Sequence, residues 1–121
     1  IVIKDDLFDR YKNKEDFIQK YIFPGGFLPS INLIKKMTKD NKLNLEKINS
    51  YSDDYAKTLN IWRNNFMSTW VNIAPLGFDD YFKRMWEFYL SYCEAGFKAK
   101  NIDLIQFSMS NRQWACLKSS I

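Results

Sequence analysis

The sequence predicts an α/β fold, and three observations support this class. Residues 1–3 form a β-branched run, residues 43–51 alternate in polarity, and residues 102–109 are almost continuously apolar, as strands are. Between these strands, aromatic and aliphatic residues recur at helical spacing over two long segments. The chain is 46% hydrophobic and 17% aromatic, which favours a folded protein over a disordered one. The predicted order is strand, two short helices, strand, two long helices, strand.

In the first third of the chain, the sequence pattern predicts the end of a buried strand, followed by the two short helices. A helix is predicted over 13–22, because polar residues typical of a helix start precede apolar residues at helical spacing. Pro24 ends this helix, and the glycine pair 25–26 allows a sharp reversal. Ser30 is placed to cap the second short helix, which we expect to end near the lysine pair 35–36.

In the rest of the chain, the sequence pattern predicts two long helices between strands. Residues 52–54, Ser-Asp-Asp, are expected to cap the first helix, whose apolar stripe is Tyr55, Leu59, Trp62, Phe66 and Trp70. Residues 75–77 break that helix, and the second one begins near Asp79. Its apolar face carries Phe82, Met85, Trp86, Tyr89, Cys93 and Phe97. The last strand, 102–109, is predicted to be an inner strand covered on both sides.

The charge distribution separates classes of partner. The formal net charge is +4, which fits an anionic surface such as phospholipid headgroups, and fits a solvated lysine-rich face equally well. The lysines are scattered among acidic residues, so we expect no nucleic-acid partner. No apolar run approaches the roughly 20 residues of a membrane helix, so any membrane contact is expected to be peripheral.

The cysteines indicate a structural thiol rather than a metal site. Cys93 and Cys116 lack CxxC spacing and the chain has no histidine, so we expect no bound metal. Cys93 falls in an apolar helical stripe, which is typical of a buried thiol in a reducing compartment. We therefore expect a cytoplasmic protein peripheral to the membrane.

Four motifs carry a family resemblance. Residues 17–26 have the sequence Phe-Ile-Gln-Lys-Tyr-Ile-Phe-Pro-Gly-Gly, followed by Leu-Pro-Ser at 28–30. Three further stretches follow in order: 53–59 with Trp62, 82–97 and 102–107. Together these motifs resemble the cyclopropane-fatty-acyl-phospholipid synthases, a family of S-adenosylmethionine-dependent methyltransferases, and they cover nearly the whole chain.

The resemblance implies a particular place in a larger fold. The chain would be the C-terminal part of a Rossmann-like class I methyltransferase fold, with the last sheet strands and a helical cover over the lipid site. Residues 1–121 would then be the C-terminal portion of a single methyltransferase domain. The cofactor S-adenosylmethionine would bind upstream of Ile1, since none of the four glycines here has GxGxxG spacing. We expect the chain by itself to bind no cofactor and to be inactive.

The resemblance also implies a reaction. A methyl or methylene group passes from S-adenosylmethionine to the cis double bond of an unsaturated phospholipid acyl chain, and bicarbonate is the base. Tyr89 matches the family tyrosine that helps hold the bicarbonate, and the backbone carbonyl of Ile1 is a second candidate. The family's pocket glutamate and histidine are absent from this chain. From the residues alone, Tyr89 is equally well one more ring in a core stripe.

A larger set of apolar residues is predicted to form the acyl-chain pocket. Its members are Tyr55, Leu59, Trp62, Phe66, Trp86, Phe23, Phe27 and Leu28. Aromatic rings beside an alkyl chain bury apolar area, and their faces attract a transient cation. The alternatives are ordinary packing between helices for the stripe residues, and scattered exposed rings for those around the glycine turn.

Two other functions stay open at this point. One is a non-catalytic domain that binds lipid or a partner without the cofactor half, and the other is a small basic binding module. Cyclopropanation, plain methylation and hydroxylation share this scaffold in the wider family, so the product is open too. The sequence before Ile1 separates the first alternative from the enzyme, because a strand–GxG–helix pattern there indicates cofactor binding.

Overall fold

The computed structural model describes residues 1–111, so Cys116 lies outside the described residues. In chain order the elements are β1 (Val2–Ile3), α1 (Asp5–Lys12), a π-helical turn (Ile18–Ile22), α2 (Ile31–Asp40), β2 (Leu43–Ser50), α3 (Ser52–Ser68), α4 (Trp70–Ile73), a 3₁₀ turn (Ala74–Leu76), α5 (Asp80–Lys98), β3 (Ile102–Asp103) and β4 (Ile105–Asn111). The predicted mixture of helices and strands is confirmed. No described helix combines the length and apolar character that crossing a bilayer requires.

The first helix differs from the prediction. The chain is helical over Asp5–Lys12, directly after the buried strand β1, where no helix was predicted. Acidic residues in the first turn of α1 and basic ones in its last complement the helix dipole, a signal that the sequence analysis missed. Within the predicted helix over 13–22, only the π-helical turn and the residue before it are helical. The prediction is therefore confirmed for residues 17–22 and wrong for residues 13–16.

The glycine turn and the cap of α2 are as predicted. Gly25 has a φ of 78°, a conformation that favours glycine. A Cβ atom at Gly26 would lie 2.9 Å from the carbonyl oxygen of Phe23, so this position has no room for a side chain. Ser30 caps α2, since its Oγ accepts a hydrogen bond from the Leu33 amide at 3.2 Å. The helix runs on to Asp40, past the lysine pair where we expected it to end.

The two long helices begin in different ways. The predicted start of α5 near Asp79 is confirmed, and Asp79 also caps the helix, because its Oδ1 accepts a hydrogen bond from the Phe82 amide at 2.8 Å. The predicted cap within residues 52–54 is wrong, because the N-cap residue is Tyr51 and no described side chain caps the helix. Ser52 is the first residue of α3, and its hydroxyl donates instead to the carbonyl oxygen of Phe97 at 3.0 Å. Trp70 lies in α4, so the apolar stripe of α3 is shorter than predicted.

The strands form two separate antiparallel pairs among the described residues. β1 pairs with β3, and β2 pairs with β4 around an irregularity between Leu45 and Lys47. The single inner strand predicted over 102–109 is therefore wrong, because the segment divides at Leu104 between the two pairs. Most of β4 is exposed. Polar residues alternate with the apolar ones there, as on a strand with one solvated face.

The core lies between α3 and α5. Its buried residues are Ala56, Leu59, Leu90, Cys93 and Phe97. Phe97 is completely buried, and its ring meets the edge of the Tyr55 ring at a centroid distance of 5.0 Å. Burial of these side chains fixes the two helices against each other, and it therefore fixes the residues that they present to the neighbouring cavity.

Candidate functional site: an aromatic cavity beside the helix pair

A cavity of about 130 Å³ lies beside the core. Its wall combines the start of the chain, α1, the segment through the glycine turn, and the facing sides of α3 and α5. The lining residues are Ile1, Tyr11, Asp16, Ile18, Gln19, Phe23, Gly26, Phe27, Leu28, Tyr55, Leu59, Tyr89, Cys93, Phe97 and Ile102. The structure thus brings seven of the predicted site residues into one wall: Ile1, Phe23, Phe27, Leu28, Tyr55, Leu59 and Tyr89.

The other three predicted pocket residues lie outside this wall. Trp62 is half-exposed and meets the edge of the Tyr55 ring at 6.0 Å. Trp86 packs against the Tyr89 ring at 5.0 Å. Phe66 packs further along the helix pair, against Trp70 and Phe82. The two tryptophans therefore support the two tyrosine rings from outside the cavity.

Tyr89 presents a protonated phenol to the cavity. Burial, followed by smaller effects of Cys93 and Tyr55, raises the pKa of Tyr89 to about 12. At neutral pH its hydroxyl therefore keeps its proton and can donate a hydrogen bond. The ring is held by Trp86 and by the edge of Phe23 at 6.2 Å. Tyr89 thus has the properties of a fixed hydrogen-bond donor in an apolar wall.

Cys93 lies one helical turn beyond Tyr89 on the same face of α5. Burial raises the pKa of the Cys93 thiol to about 11, against a smaller lowering effect of a hydrogen bond with Tyr89. The thiol is therefore protonated at neutral pH, which excludes it as a nucleophile at rest. The predicted burial of this residue is confirmed. Its place on the cavity wall was missed, although its spacing from Tyr89 was a usable signal.

A second group of polar side chains lies on the side of the cavity formed by α1 and the glycine turn. The Leu28 amide donates to the Tyr11 hydroxyl at 3.1 Å, and Gln19 Nε2 donates to the carbonyl oxygen of Gly26 at 3.1 Å. Asp16 and Gln19 exchange side-chain-to-backbone hydrogen bonds at 2.8 and 3.0 Å. These bonds hold the glycine turn against the cavity. Asp16 was predicted to lie at a helix start, and its position on the cavity wall was not predicted.

The site has no metal-binding chemistry within the residues described. No three His, Cys, Asp or Glu side chains of residues 1–111 come together in a way that could hold an ion. The wall instead combines aromatic rings, aliphatic groups and a few hydroxyl, amide and carboxylate groups, which suits a long apolar ligand with a small polar reacting centre.

The fold matches solved enzymes. The mycolic acid cyclopropane synthase CmaA1, solved in complex with SAH and CTAB, superposes with a TM-score of 0.73 at 29% identity over 86% of this chain and 35% of that one. The cyclopropane synthase MmaA2 from Mycobacterium tuberculosis gives the same TM-score at 25% identity, over 84% of this chain and 34% of its own. The chain therefore has an α/β fold of the class I methyltransferase type.

Sequence relatives agree with the fold. The chain is 43% identical over 99 residues to tuberculostearic acid methyltransferase UfaA1 of Mycobacterium tuberculosis, covering 81% of this chain and 23% of UfaA1. It is 36% identical over 98 residues to the cyclopropane-fatty-acyl-phospholipid synthase of Escherichia coli K12, covering 81% of this chain and 25% of that enzyme. The chain thus spans about a quarter of the length of these relatives.

The family model of mycolic acid cyclopropane synthetase matches residues 2–107. The chain belongs to this family, which confirms the resemblance stated from the four motifs.

Proposed function

We propose that the protein containing this chain transfers a methyl or methylene group from S-adenosylmethionine to the cis double bond of an unsaturated phospholipid acyl chain, giving a cyclopropane fatty acid. The observation that carries the proposal is the cavity beside α3 and α5, whose largely apolar wall includes the phenols of Tyr11, Tyr55 and Tyr89. The family membership supports the type of chemistry, because the relatives are named as methyltransferases and cyclopropane synthases.

The cavity wall supports an alkyl ligand. Phe23, Phe27 and Leu28 border the cavity at the glycine turn, and both phenylalanines are more than half exposed. An acyl chain in contact with these side chains would bury apolar area at about 25 cal/mol per Å². The solved structure of CmaA1 contains CTAB, an amphiphile with a long alkyl chain. We therefore assign the acyl chain to this cavity, with peripheral contact between the glycine turn and the lipid surface.

Two small partners complete the proposed site. S-adenosylmethionine supplies an electrophilic methyl group when bound, and we assign its binding to residues outside this chain, since the described residues have no glycine-rich cofactor loop. Bicarbonate supplies a base when bound, and the cavity fits an ion of this size, with phenolic donors available on Tyr55 and Tyr89. We assign the bicarbonate to the Tyr89 hydroxyl and to the backbone carbonyl of Ile1, which also lies on the wall.

The hydroxyl of Tyr89 is the first target for a test. In the complete native protein, Tyr89→Phe keeps the ring and removes the hydrogen bond. Turnover should fall by roughly tenfold to a hundredfold, as for the loss of one charge-assisted hydrogen bond, while the apparent affinity for lipid changes little. The measurement is transfer of labelled methyl groups to unsaturated phospholipid vesicles. Tyr92→Phe is the matched control, because Tyr92 is on the same helix but outside the cavity wall.

The same assay compares Tyr89 with Tyr55, the second phenol on the wall beside the helix pair. Tyr55→Phe removes this hydroxyl while its ring keeps the contact with Phe97. Full turnover by Tyr89→Phe at saturating lipid would remove Tyr89 from the site, and a loss confined to Tyr55→Phe would assign the bicarbonate to Tyr55. A wild-type protein that binds vesicles but transfers no methyl group would instead support a non-catalytic lipid-binding function.

A further inference from the structure

Asp16 is the only carboxylate on the cavity wall among the residues that the structure describes, and no lysine or arginine lines this wall. Its Oδ1 accepts a hydrogen bond from the Gln19 amide at 2.8 Å. None of the ion pairs found within residues 1–111 includes Asp16. The cavity therefore has one negatively charged side chain and no positively charged side chain beside it.

The field of this carboxylate reaches across the cavity to α5. Burial raises the pKa of Cys93, and the charge of Asp16 raises it further. Burial and the charge of Asp16, followed by Cys93 and Tyr11, also raise the pKa of Tyr92. For Tyr89 the causes are burial, Cys93 and Tyr55, without Asp16. The charge of Asp16 thus acts on two side chains of α5, Cys93 on the cavity wall and Tyr92 outside it.

We propose that the Asp16 carboxylate stabilises positive charge on the lipid substrate inside this cavity. This inference rests on the proposed function. When a methyl group leaves a sulfonium and its carbon bonds to the electron pair of a double bond, the sulfur becomes neutral and the acyl chain carries the positive charge until a proton is lost. A fixed negative charge on a largely apolar wall lowers the energy of that cation, and the faces of the surrounding aromatic rings act in the same direction.

The simpler role of Asp16 is to cap the turn that follows it. Asparagine caps helices about as well as aspartate, so Asp16→Asn keeps the acceptor for the Gln19 amide and removes only the charge. Asp79 offers a matched control. It accepts a hydrogen bond from the Phe82 amide at the same distance of 2.8 Å, but it lies outside the cavity wall.

The first test measures turnover in the complete native protein. We expect Asp16→Asn to lower kcat by roughly tenfold, with KM and the melting temperature almost unchanged, while Asp79→Asn keeps the wild-type kcat. Asp16→Ser, which also keeps a capping oxygen, should show the same loss and covers the case in which the asparagine variant folds poorly. Wild-type kcat in either folded Asp16 variant overturns the proposal.

The second test needs no catalysis. Binding of dodecyltrimethylammonium below its micelle concentration is compared with binding of dodecyl maltoside, a neutral amphiphile with the same tail, by titration calorimetry. Asp16→Asn should weaken binding of the cationic amphiphile by roughly threefold to tenfold and leave binding of the neutral amphiphile unchanged. Unchanged binding of the cation, or equal losses for both amphiphiles, overturns the role of Asp16. Absence of methyl transfer by the wild type together with the expected binding result would refute the proposed function alone.

Discussion

The helix pair α3/α5 and the strand pair β2/β4 obtain their stability in different ways. The helices bury a contiguous core between them, which includes the fully buried Phe97. In β2 and β4 no residue is buried, and the apolar side chains of Phe107 and Met109 stay 40% and 46% exposed. The strands pair along most of their length, around the irregularity between Leu45 and Lys47, but the described residues cover their apolar side chains only in part.

This difference shows which of the two regions is stabilised by residues of this chain. Apolar burial is the main favourable term in folding, whereas exchanging water for a backbone partner contributes little net free energy. The helix pair, which presents Tyr55 and Tyr89 to the cavity, is therefore stabilised from within. The ladder needs an external surface to cover its apolar side chains.

The largest effect is expected at the core. Phe97→Ala should lower the free energy of unfolding by about 3–5 kcal/mol, because it removes a fully buried ring and leaves a cavity. Phe107→Ala on β4 is the matched change in the ladder, and it should cost less than about 1 kcal/mol. Urea denaturation of the complete native protein measures both. Equal losses would show that the ladder is buried in that protein and would remove the contrast between the two regions.

A smaller effect is expected at the one buried charge of the helix pair. Glu94 is 5% exposed, and it pairs with Arg63 at 3.2 Å and with Lys98 at 2.5 Å. Glu94→Gln should cost about 2 kcal/mol, less than the 3–5 kcal/mol of a fully buried pair because both partners are partly exposed. Asp53→Asn removes the exposed ion pair with Lys100 and should have no measurable effect on the free energy of unfolding.

The Glu94 contribution should depend on pH. A hydrogen bond from Lys98 lowers the pKa of Glu94 below its usual value of 4.5. Burial opposes this shift, whereas a hydrogen bond from Asn60 and the charges of Lys98 and Arg63 add to it. A lowered carboxylate pKa stabilises the fold above the unfolded pKa, and this stabilisation is lost as the pH falls through the folded value. The stability difference between wild type and Glu94→Gln should therefore shrink below pH 4.5. A constant difference across this range would contradict the ion-pair assignment.

The smallest effect concerns the ladder itself. Because Phe107 and Met109 on the ladder are exposed, we expect the chain expressed alone to associate or to lack fixed packing. Phe107→Lys should weaken the association by a few-fold, as charged residues do on exposed strands. Sedimentation velocity and thermal melting test this expectation. A dilute monomer with a sharp two-state melt would show that the ladder is stable without a covering surface.

Local signals in the sequence were enough to predict several features of the fold. Ser30 caps α2 as predicted, because an N-cap depends only on the few residues beside it, and the predicted start of α5 near Asp79 is confirmed. The glycine turn was predictable for the same reason. Ser52 has the same type of side chain, but its hydroxyl bonds to Phe97, which is 45 residues away in the chain. Such a partner is set by tertiary structure, and no local pattern indicates it.

The candidate site was predictable in part. The family resemblance drew attention to Tyr89 and Tyr55, and both lie on one cavity wall. Helical spacing alone could not distinguish residues that line the cavity from residues that pack behind them. Trp62 and Trp86 were therefore predicted to line the cavity, although they pack against Tyr55 and Tyr89 from outside. Asp16 was missed because the path of the chain through the glycine turn decides which side chains face α5, and that path depends on long-range contacts.

The hydroxyl of Ser52 has a consequence for how the molecule opens. It joins the start of α3 to the end of α5, and the Tyr51 amide beside it donates to the carbonyl oxygen of Leu104 at 2.8 Å, between β3 and β4. Bonds that span so much sequence form only when both regions are in place. The helix pair and the ladder should therefore exchange their amide protons as one cooperative unit, and a fluctuation that frays the ladder would also reach the wall that carries Tyr55.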